Sequence, residues 1–133
     1  MGFDIGSLAE LSVVGDYLRV ALHRTMADLA ESKRLQTEVI ERAAAAGVVK
    51  VLFDYSRVGS HADDVRSDMW QWAGRTKFVA MALVVDSDLT RIRMNMTAVA
   101  QRVRMRAFLS DRDALGWLDG AEKRRPTTEI PKL

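Results

Sequence analysis

VVKVLFD, residues 48–54, is a nearly continuous apolar run that ends in an aspartate. A second run of this kind, FVAMALVVD, occupies residues 78–86. Such runs are typical of strands that are covered on both faces of a sheet. The segment between the two runs has the pattern of a helix. Two such strands with a helix between them are expected to be parallel and joined by a right-handed crossover. The predicted helix rests on apolar residues that recur at helical spacing between the two runs, namely Ala62, Val65, Met69, Trp72 and Ala73.

The segment before the first run predicts a hairpin followed by a helix. LSVV (residues 11–14) and YLRVALHR (residues 17–24) flank a Gly-Asp pair, which favours a tight turn between two antiparallel strands. Asp28 and Glu31 then form an acidic variant of the capping box. We expect the helix that begins there to end at Gly47, because glycine accepts the left-handed conformation that closes many helices.

The segment after the second run predicts a helix, a strand and a short final helix. RMRAFLS (residues 104–110) alternates like a strand, and SDRDALGWLDG (residues 110–120) has Ser110 as a helix cap and Gly120 as a stop. The preceding helix is amphipathic, and we expect its apolar stripe to face the sheet. That stripe consists of Leu89, Ile92, Met96, Val99, Ala100 and Val103.

This order of elements predicts a single α/β domain. Its sheet should be mixed, with about five strands, of which the central ones are parallel, and four helices should pack on it. Residues 1–10 are predicted to be an N-terminal lead, residues 11–119 the folded domain, and residues 120–133 a flexible basic tail. A chain of 133 residues is long enough to bury a substantial core without disulfides.

Composition excludes several kinds of site. The chain has no cysteine and only two histidines, so it has no thiol nucleophile and no thiolate metal site, and we predict neither a metal nor a cofactor. The longest apolar run is far shorter than the roughly 20 residues of a membrane span. With no cysteine and no secretory signal at the start, the sequence predicts a cytoplasmic protein.

The polar stretch VLFDYSRVGSHADD, residues 51–64, invites a catalytic interpretation. Ser60, His61 and Asp63 are too close in sequence to converge as a nucleophile, base and acid. We expect Ser60 to cap a helix that begins at His61, with Asp63 and Asp64 favoured by the helix dipole in its first turn. The glycines form no phosphate-binding motif. No catalytic residue is therefore predicted.

Ligands of open α/β sheets bind beyond the carboxyl ends of the parallel strands, and two polar loops follow those ends here. They supply the predicted rim of a ligand or partner site, although capping and turn roles would also explain such residues. The alternative function is a small enzyme that uses Asp54, His61 and Asp86 at this rim. The rim candidates are Asp54, Tyr55, Ser60, His61, Asp86 and Ser87.

The succession VVKVLFDYSRV, KFVAMALVVDSDLTRI and VRMRAFLSDRDALGWL resembles the SpoIIAA-like proteins, which are relatives of the STAS domains, over residues 11–119. Such domains serve as anti-sigma factor antagonists. The resemblance implies a non-catalytic regulatory or ligand-binding module that docks a partner protein or a lipid-like hydrophobic ligand. The family's phosphorylated Asp-Ser-Ser-Gly loop is absent, and Asp63 stands at the acceptor position. The SpoIIAA-like proteins also resemble CRAL-TRIO proteins in fold, and this resemblance implies binding to a hydrophobic ligand or to a membrane surface.

The residues also bear on three further kinds of partner. Met94 is predicted near the centre of the polar face of its helix beside Arg91, where it is either a peripheral membrane contact or a solitary exposed residue. Five arginines fall between residues 91 and 106, but no tryptophan is interleaved with them, which argues against nucleic acid. Trp70, at the margin of an apolar stripe, would cover either a homodimer contact or the core.

Overall fold

A computed structural model of the protein describes residues 5–59 and 61–121. Helices and strands alternate along most of this length. In chain order they are α1 (Ile5–Leu8), β1 (Ala9–Val14), β2 (Tyr17–Leu22), α2 (Leu29–Ala46), β3 (Lys50–Asp54), α3 (Asp63–Arg75), β4 (Ala80–Val84), α4 (Asp88–Gln101), β5 (Met105–Phe108) and α5 (Asp111–Asp119).

The five strands form one mixed sheet whose spatial order is the chain order, β1-β2-β3-β4-β5. β1 and β2 are antiparallel, and the turn between them contains Gly15 at a φ of 60°, a conformation that favours glycine. The other neighbours pair in parallel. The predicted α/β class and mixed five-stranded sheet are confirmed, and the short helix α1 is a fifth helix in addition to the four predicted.

The helices lie in two layers because all three parallel connections advance in the same direction across the sheet. Right-handed crossovers then bring α2, α3 and α4 to one face, and α5 covers the other. Side chains of β3 alternate between the layers: Phe53 belongs to the larger core under α2 and α3, and Leu52 packs with Ala114 and Leu118 of α5.

The boundaries of α2 are as predicted. Asp28 caps the helix by accepting a hydrogen bond from the Glu31 backbone N–H at 3.0 Å, and Gly47 closes it at a φ of 69°. The Glu31 carboxylate reaches back to the backbone N–H of Ala27 at 2.7 Å. The Asp28 bond satisfies one of the N–H groups that a helix start leaves free, and the Glu31 bond satisfies the N–H of the residue just before the cap.

The predicted start of α3 is wrong by two residues. The helix begins at Asp63, and Ala62 holds the cap position without a side-chain hydrogen bond, so His61 lies before the helix. Ser60, the predicted cap, lies outside the described residues. At the other end the helix runs past Gly74 to Arg75 and is closed by Thr76.

The predicted orientation of α4 is also wrong. Four members of its apolar stripe (Leu89, Ile92, Met96 and Val99) point to solvent, with Met96 67% and Val99 79% exposed, whereas Val103 and Met94 pack against the larger core and Ala98 is buried. Asn95 fixes this orientation through two hydrogen bonds to Ala107 of β5, described below. The helical spacing of apolar residues does not by itself show which face of the helix will pack on the sheet.

The buried core extends beyond the predicted domain at both ends. Leu8 and Ala9, within the predicted lead, are buried, and so is Ala121, just past the predicted end at residue 119. The rest of the predicted tail, residues 122–133, lies outside the described residues. Within the part of the chain that the structure describes, no helix is both long enough and apolar enough to cross a membrane.

Candidate ligand-binding groove

A groove of about 910 Å³ separates α3 from α4 on the larger-core face of the sheet. Its floor is apolar and comes from the strands beneath, chiefly Phe53 of β3 and Leu83 of β4. The groove opens because α3 packs on α2 while α4 packs on β5, so that the two helices are drawn apart. It extends to the carboxyl ends of β3 and β4, where ligands of such sheets usually bind.

The α3 wall is held against α2 by the carboxylate of Asp68. It accepts hydrogen bonds from the Ser32 hydroxyl at 2.8 Å, the Gln36 amide at 2.8 Å and the Lys33 ammonium at 2.7 Å. Ser32 and Gln36 are buried. Burial by itself raises the pKa of Asp68, but the hydrogen bonds from Lys33, Ser32 and Gln36 outweigh it and bring the pKa below 3.8.

The α4 wall is held to the edge strand β5 by Asn95. Its amide oxygen accepts from the backbone N–H of Ala107 at 2.7 Å, and its amide nitrogen donates to the Ala107 carbonyl at 3.2 Å. The side chain thus takes the place of a missing sixth strand and covers part of the open sheet edge. Because Asn95 must face β5, the opposite side of α4 faces solvent.

Methionine and tryptophan supply six of the side chains that line the groove. Methionine is flexible and polarisable, and aromatic rings supply large apolar contact area, so these walls can adapt to an apolar ligand. The Trp72 ring meets the floor at Phe53 edge-to-face, with ring centroids 6.2 Å apart. The methionine and tryptophan residues that line the groove are Met69, Trp70, Trp72, Met94, Met96 and Met105.

Tyr55 and His61 lie together at the β3 end of the groove, with ring centroids 5.8 Å apart. The Nε2 atom of His61 is buried and has no hydrogen-bond partner, the only side-chain nitrogen or oxygen in residues 5–59 and 61–121 with this property. Burial, and secondly the charge of Arg66, lower the pKa of His61 below 6.5. Burial raises the pKa of Tyr55. Both groups are therefore neutral at pH 7.

The structure brings together some of the predicted rim residues. Tyr55, His61 and Asp86 line the groove, as does Met94, which was predicted to be on the outside of its helix. Ser87 instead caps α4 by accepting from the backbone N–H of Thr90 at 3.2 Å. Ser60 cannot be placed, because it lies outside the described residues.

Two other predicted residues are engaged elsewhere. Asp54 does not line the groove; it accepts a hydrogen bond from Arg19 at 2.9 Å and from the Ser56 hydroxyl at 2.6 Å. Arg91, predicted to flank a membrane contact, pairs with Asp88 one turn earlier in α4.

The arrangement does not assemble the catalytic set that the alternative function requires. Asp54 follows Leu52 on the α5 side of the sheet, so it is separated from His61 by the sheet. Burial alone raises the pKa of Asp54, but hydrogen bonds from Ser56 and Arg19 outweigh it and lower the pKa. No three His, Cys, Asp or Glu residues of the described chain are grouped as metal ligands would be.

Sequence reasoning placed the site at the ends of the strands and missed its walls. Met69 and Trp72 were assigned to a core stripe, and Met96 was assigned to the buried face of its helix. The available signal was the density of soft and aromatic side chains on two successive helices, Met69 to Trp72 and Met94 to Met96. Methionine and aromatic side chains are frequent both in hydrophobic cores and in apolar ligand sites, so their frequency does not show which of the two they form.

The fold has a counterpart among solved structures. An uncharacterised protein from the DUF3478 family, with a SpoIIAA-like fold, from Shewanella loihica PV-4, matches 83% of this chain and 91% of its own with a TM-score of 0.61. The two sequences are 17% identical, so the likeness shows the fold alone. No family model and no curated protein matches the chain. The fold is therefore SpoIIAA-like, and the likeness to CRAL-TRIO proteins stays a prediction.

Proposed function

We propose that this protein is a non-catalytic binding module that holds an apolar ligand of lipid size between α3 and α4. The observation that carries the proposal is the groove itself, which has an apolar floor and walls that combine apolar with polar side chains. Its volume of about 910 Å³ falls in the range of small-molecule sites, roughly 300–1,000 Å³. On this proposal the module is regulatory and cytoplasmic, and a partner responds to whether the groove is occupied.

The polar groups of the groove support a ligand with a polar head. His61 offers a buried ring nitrogen that lacks a partner, and an unpaired buried polar group is costly until something bonds to it. Arg66 and Arg93 line the same groove together with Asp63, which pairs with Arg66, and Asp86, so Arg93 is the basic group that supports a negative charge on the ligand. The ligand chemistry that fits is an acyl chain along the methionines with a carboxylate at its end.

Native mass spectrometry of freshly purified protein tests whether such a ligand is retained. We expect the native protein to be heavier than the 14.9 kDa chain, and we expect the extra mass to disappear on denaturation. Titration with oleate should then change the fluorescence of a Trp117→Phe variant, in which both remaining tryptophans line the groove. Oleyl alcohol, which has the same chain without the charge, should bind about tenfold more weakly.

A groove-filling variant gives the matched control. Thr97→Trp adds an indole to a residue that lines the groove, and we expect it to reduce oleate affinity at least tenfold. Thr37→Trp places the same ring at an exposed position of α2 and should leave affinity unchanged. Equal oleate binding by both variants would show that the groove is not the ligand site.

A further inference from the structure

The solvent-facing side of α4 carries an apolar stripe that has no partner within the described chain. Its members are spaced 3, 4 and 3 residues apart, which is the a/d spacing of a coiled-coil seam. Each is at least 42% exposed, although this face of the helix is more apolar than the face that meets the sheet. The stripe consists of Leu89, Ile92, Met96 and Val99.

We propose that this stripe is a self-association surface, and that two copies of the chain pair through antiparallel α4 helices. A two-fold axis near the middle of the helix makes the stripe complementary to itself. It stacks Leu89 on Val99 of the second copy and Ile92 on Met96, which gives four apolar layers along about 15 Å of helix. Each layer joins one larger and one smaller or more flexible side chain, as interdigitated packing requires.

The charges beside the stripe favour this antiparallel arrangement. Asp88 and Arg102 lie at the two ends of α4 on the same flank of the seam, so each Asp88 comes beside Arg102 of the second copy. Asp88 remains 61% exposed even though it pairs with Arg91, and it can accept a second donor. A parallel pair would separate Asp88 from Arg102 by the length of the helix.

Arg102 has a backbone conformation that supports a role for its side chain. It closes α4 at a φ of 57°, in the left-handed region that glycine prefers, and it is the only described non-glycine residue with a positive φ. At the equivalent point of α2 the chain has Gly47. A glycine would close α4 with less strain but would offer no guanidinium to a second copy.

Asn95 keeps the stripe available. Its two hydrogen bonds to Ala107 hold the polar side of α4 against β5, so the apolar side cannot rotate inward. The proposed interface is only one helix wide, and dimers with such small interfaces associate weakly. We therefore expect a dimer that dissociates at micromolar concentration.

Sedimentation equilibrium across a range of about 1–500 μM tests the proposal on the full chain. The expected result is a monomer–dimer equilibrium that Val99→Glu weakens at least tenfold. Ile40→Glu, at an exposed apolar position of α2, is the matched control and should leave the equilibrium unchanged. Circular dichroism and melting temperature must remain close to the wild type in both variants.

Disulfide cross-linking tests the antiparallel direction, because the chain has no cysteine of its own. A mixture of Leu89→Cys and Val99→Cys chains should cross-link to each other, and Leu89→Cys chains alone should not. Efficient cross-linking of Leu89→Cys alone would mean a parallel pair and would overturn the assignment.

Two further results would overturn the dimer itself. One is a wild-type chain that stays monomeric at every concentration. The other is a monomer that binds vesicles of anionic phospholipid and loses that binding in Val99→Glu, since the stripe would then contact a membrane. Met96 belongs to both surfaces, but Val99 does not line the groove, so neither result depends on whether the groove binds oleate and the two proposals can fail separately.

Discussion

His61 combines burial with an unsatisfied ring nitrogen, and both features make its charged form unfavourable in the folded protein. In the unfolded chain an imidazole titrates near 6.5. The unfolded state therefore binds more protons than the folded state as the pH falls below that value. Stability that is fully present above pH 6.5 declines as the pH falls toward the lowered pKa of the folded state.

The His61→Phe variant should remove this dependence. We expect the free energy of unfolding of the wild type, measured in urea, to fall between pH 7 and pH 5 more steeply than that of His61→Phe. His23→Phe, which changes an exposed histidine, should keep the wild-type slope. Parallel slopes for the wild type and His61→Phe would contradict the burial of this imidazole.

Glu31 should contribute to the acid sensitivity of the protein at lower pH. Hydrogen bonding from Arg24 and the Ala27 backbone N–H lower its pKa from 4.5 to about 2, against a smaller opposing effect of burial. The stability it provides is present above pH 4.5 and is lost as the pH falls toward 2. In Glu31→Gln, the fall in unfolding free energy between pH 4.5 and pH 2 should be smaller than in the wild type.

At the scale of secondary-structure elements, single polar side chains position the helices. Asn95 joins α4 to β5, and Asp68 joins α3 to α2. Asn95 satisfies the N–H and carbonyl of Ala107, and Asp68 accepts hydrogen bonds from the buried Ser32 and Gln36, so loss of either should cost more than loss of an exposed hydrogen bond. The width of the groove depends on both attachments.

Asn95→Ala should lower the free energy of unfolding by about 1–3 kcal/mol, because it leaves the N–H and carbonyl of Ala107 without partners. Thr97→Ala is the control on the same helix, where the lost hydrogen bond to the Arg93 carbonyl is exposed, and it should cost less than about 0.5 kcal/mol. Urea denaturation of both variants measures the difference. Equal values would show that Asn95 does not anchor the helix.

The sequence predicts most of the elements, apart from the short helix α1 and the exact start of α3, but it does not predict how the helices are oriented. Apolar runs such as VVKVLFD identify buried strands, and the Asp28–Glu31 pair identifies a helix start, because these are local effects. The contact between Asn95 and Ala107 determines which side of α4 packs on the sheet. These two residues are 12 positions apart and meet only after the sheet has formed. The same reason explains why the sequence does not reveal the partner of Asp54, since Arg19 lies on the neighbouring strand.

At the scale of the whole molecule, one sheet separates two cores of unequal size. α2 and α3 cover the larger core, and α5 alone covers the smaller one, which contains Leu118. Arg19 also links Asp54 of β3 with Asp111 at the start of α5, which ties the smaller layer to the sheet. Adjacent residues of β3 belong to different cores, so the two layers should unfold together.

Tryptophan fluorescence can test this cooperativity, because Trp72 reports on the larger core and Trp117 on the smaller. We expect Leu118→Ala to destabilise the protein by about 2–5 kcal/mol, the usual cost of emptying a buried leucine site. Variants that retain either Trp72 or Trp117 alone should show coincident urea transitions before and after that change. Separate midpoints would mean that α5 unfolds independently of the larger core.

The strands lie in the sheet in the same order as in the chain, β1 through β5. This order has a consequence for folding during synthesis. Each new strand can join the free edge of those already formed, and none has to be inserted between two neighbours. A chain that leaves the ribosome from its N-terminus can therefore assemble the sheet in the direction of synthesis. Until β5 and the Asn95 amide arrive, the exposed edge is that of the newest strand, so nascent chains stalled between β4 and β5 should be the most prone to aggregate.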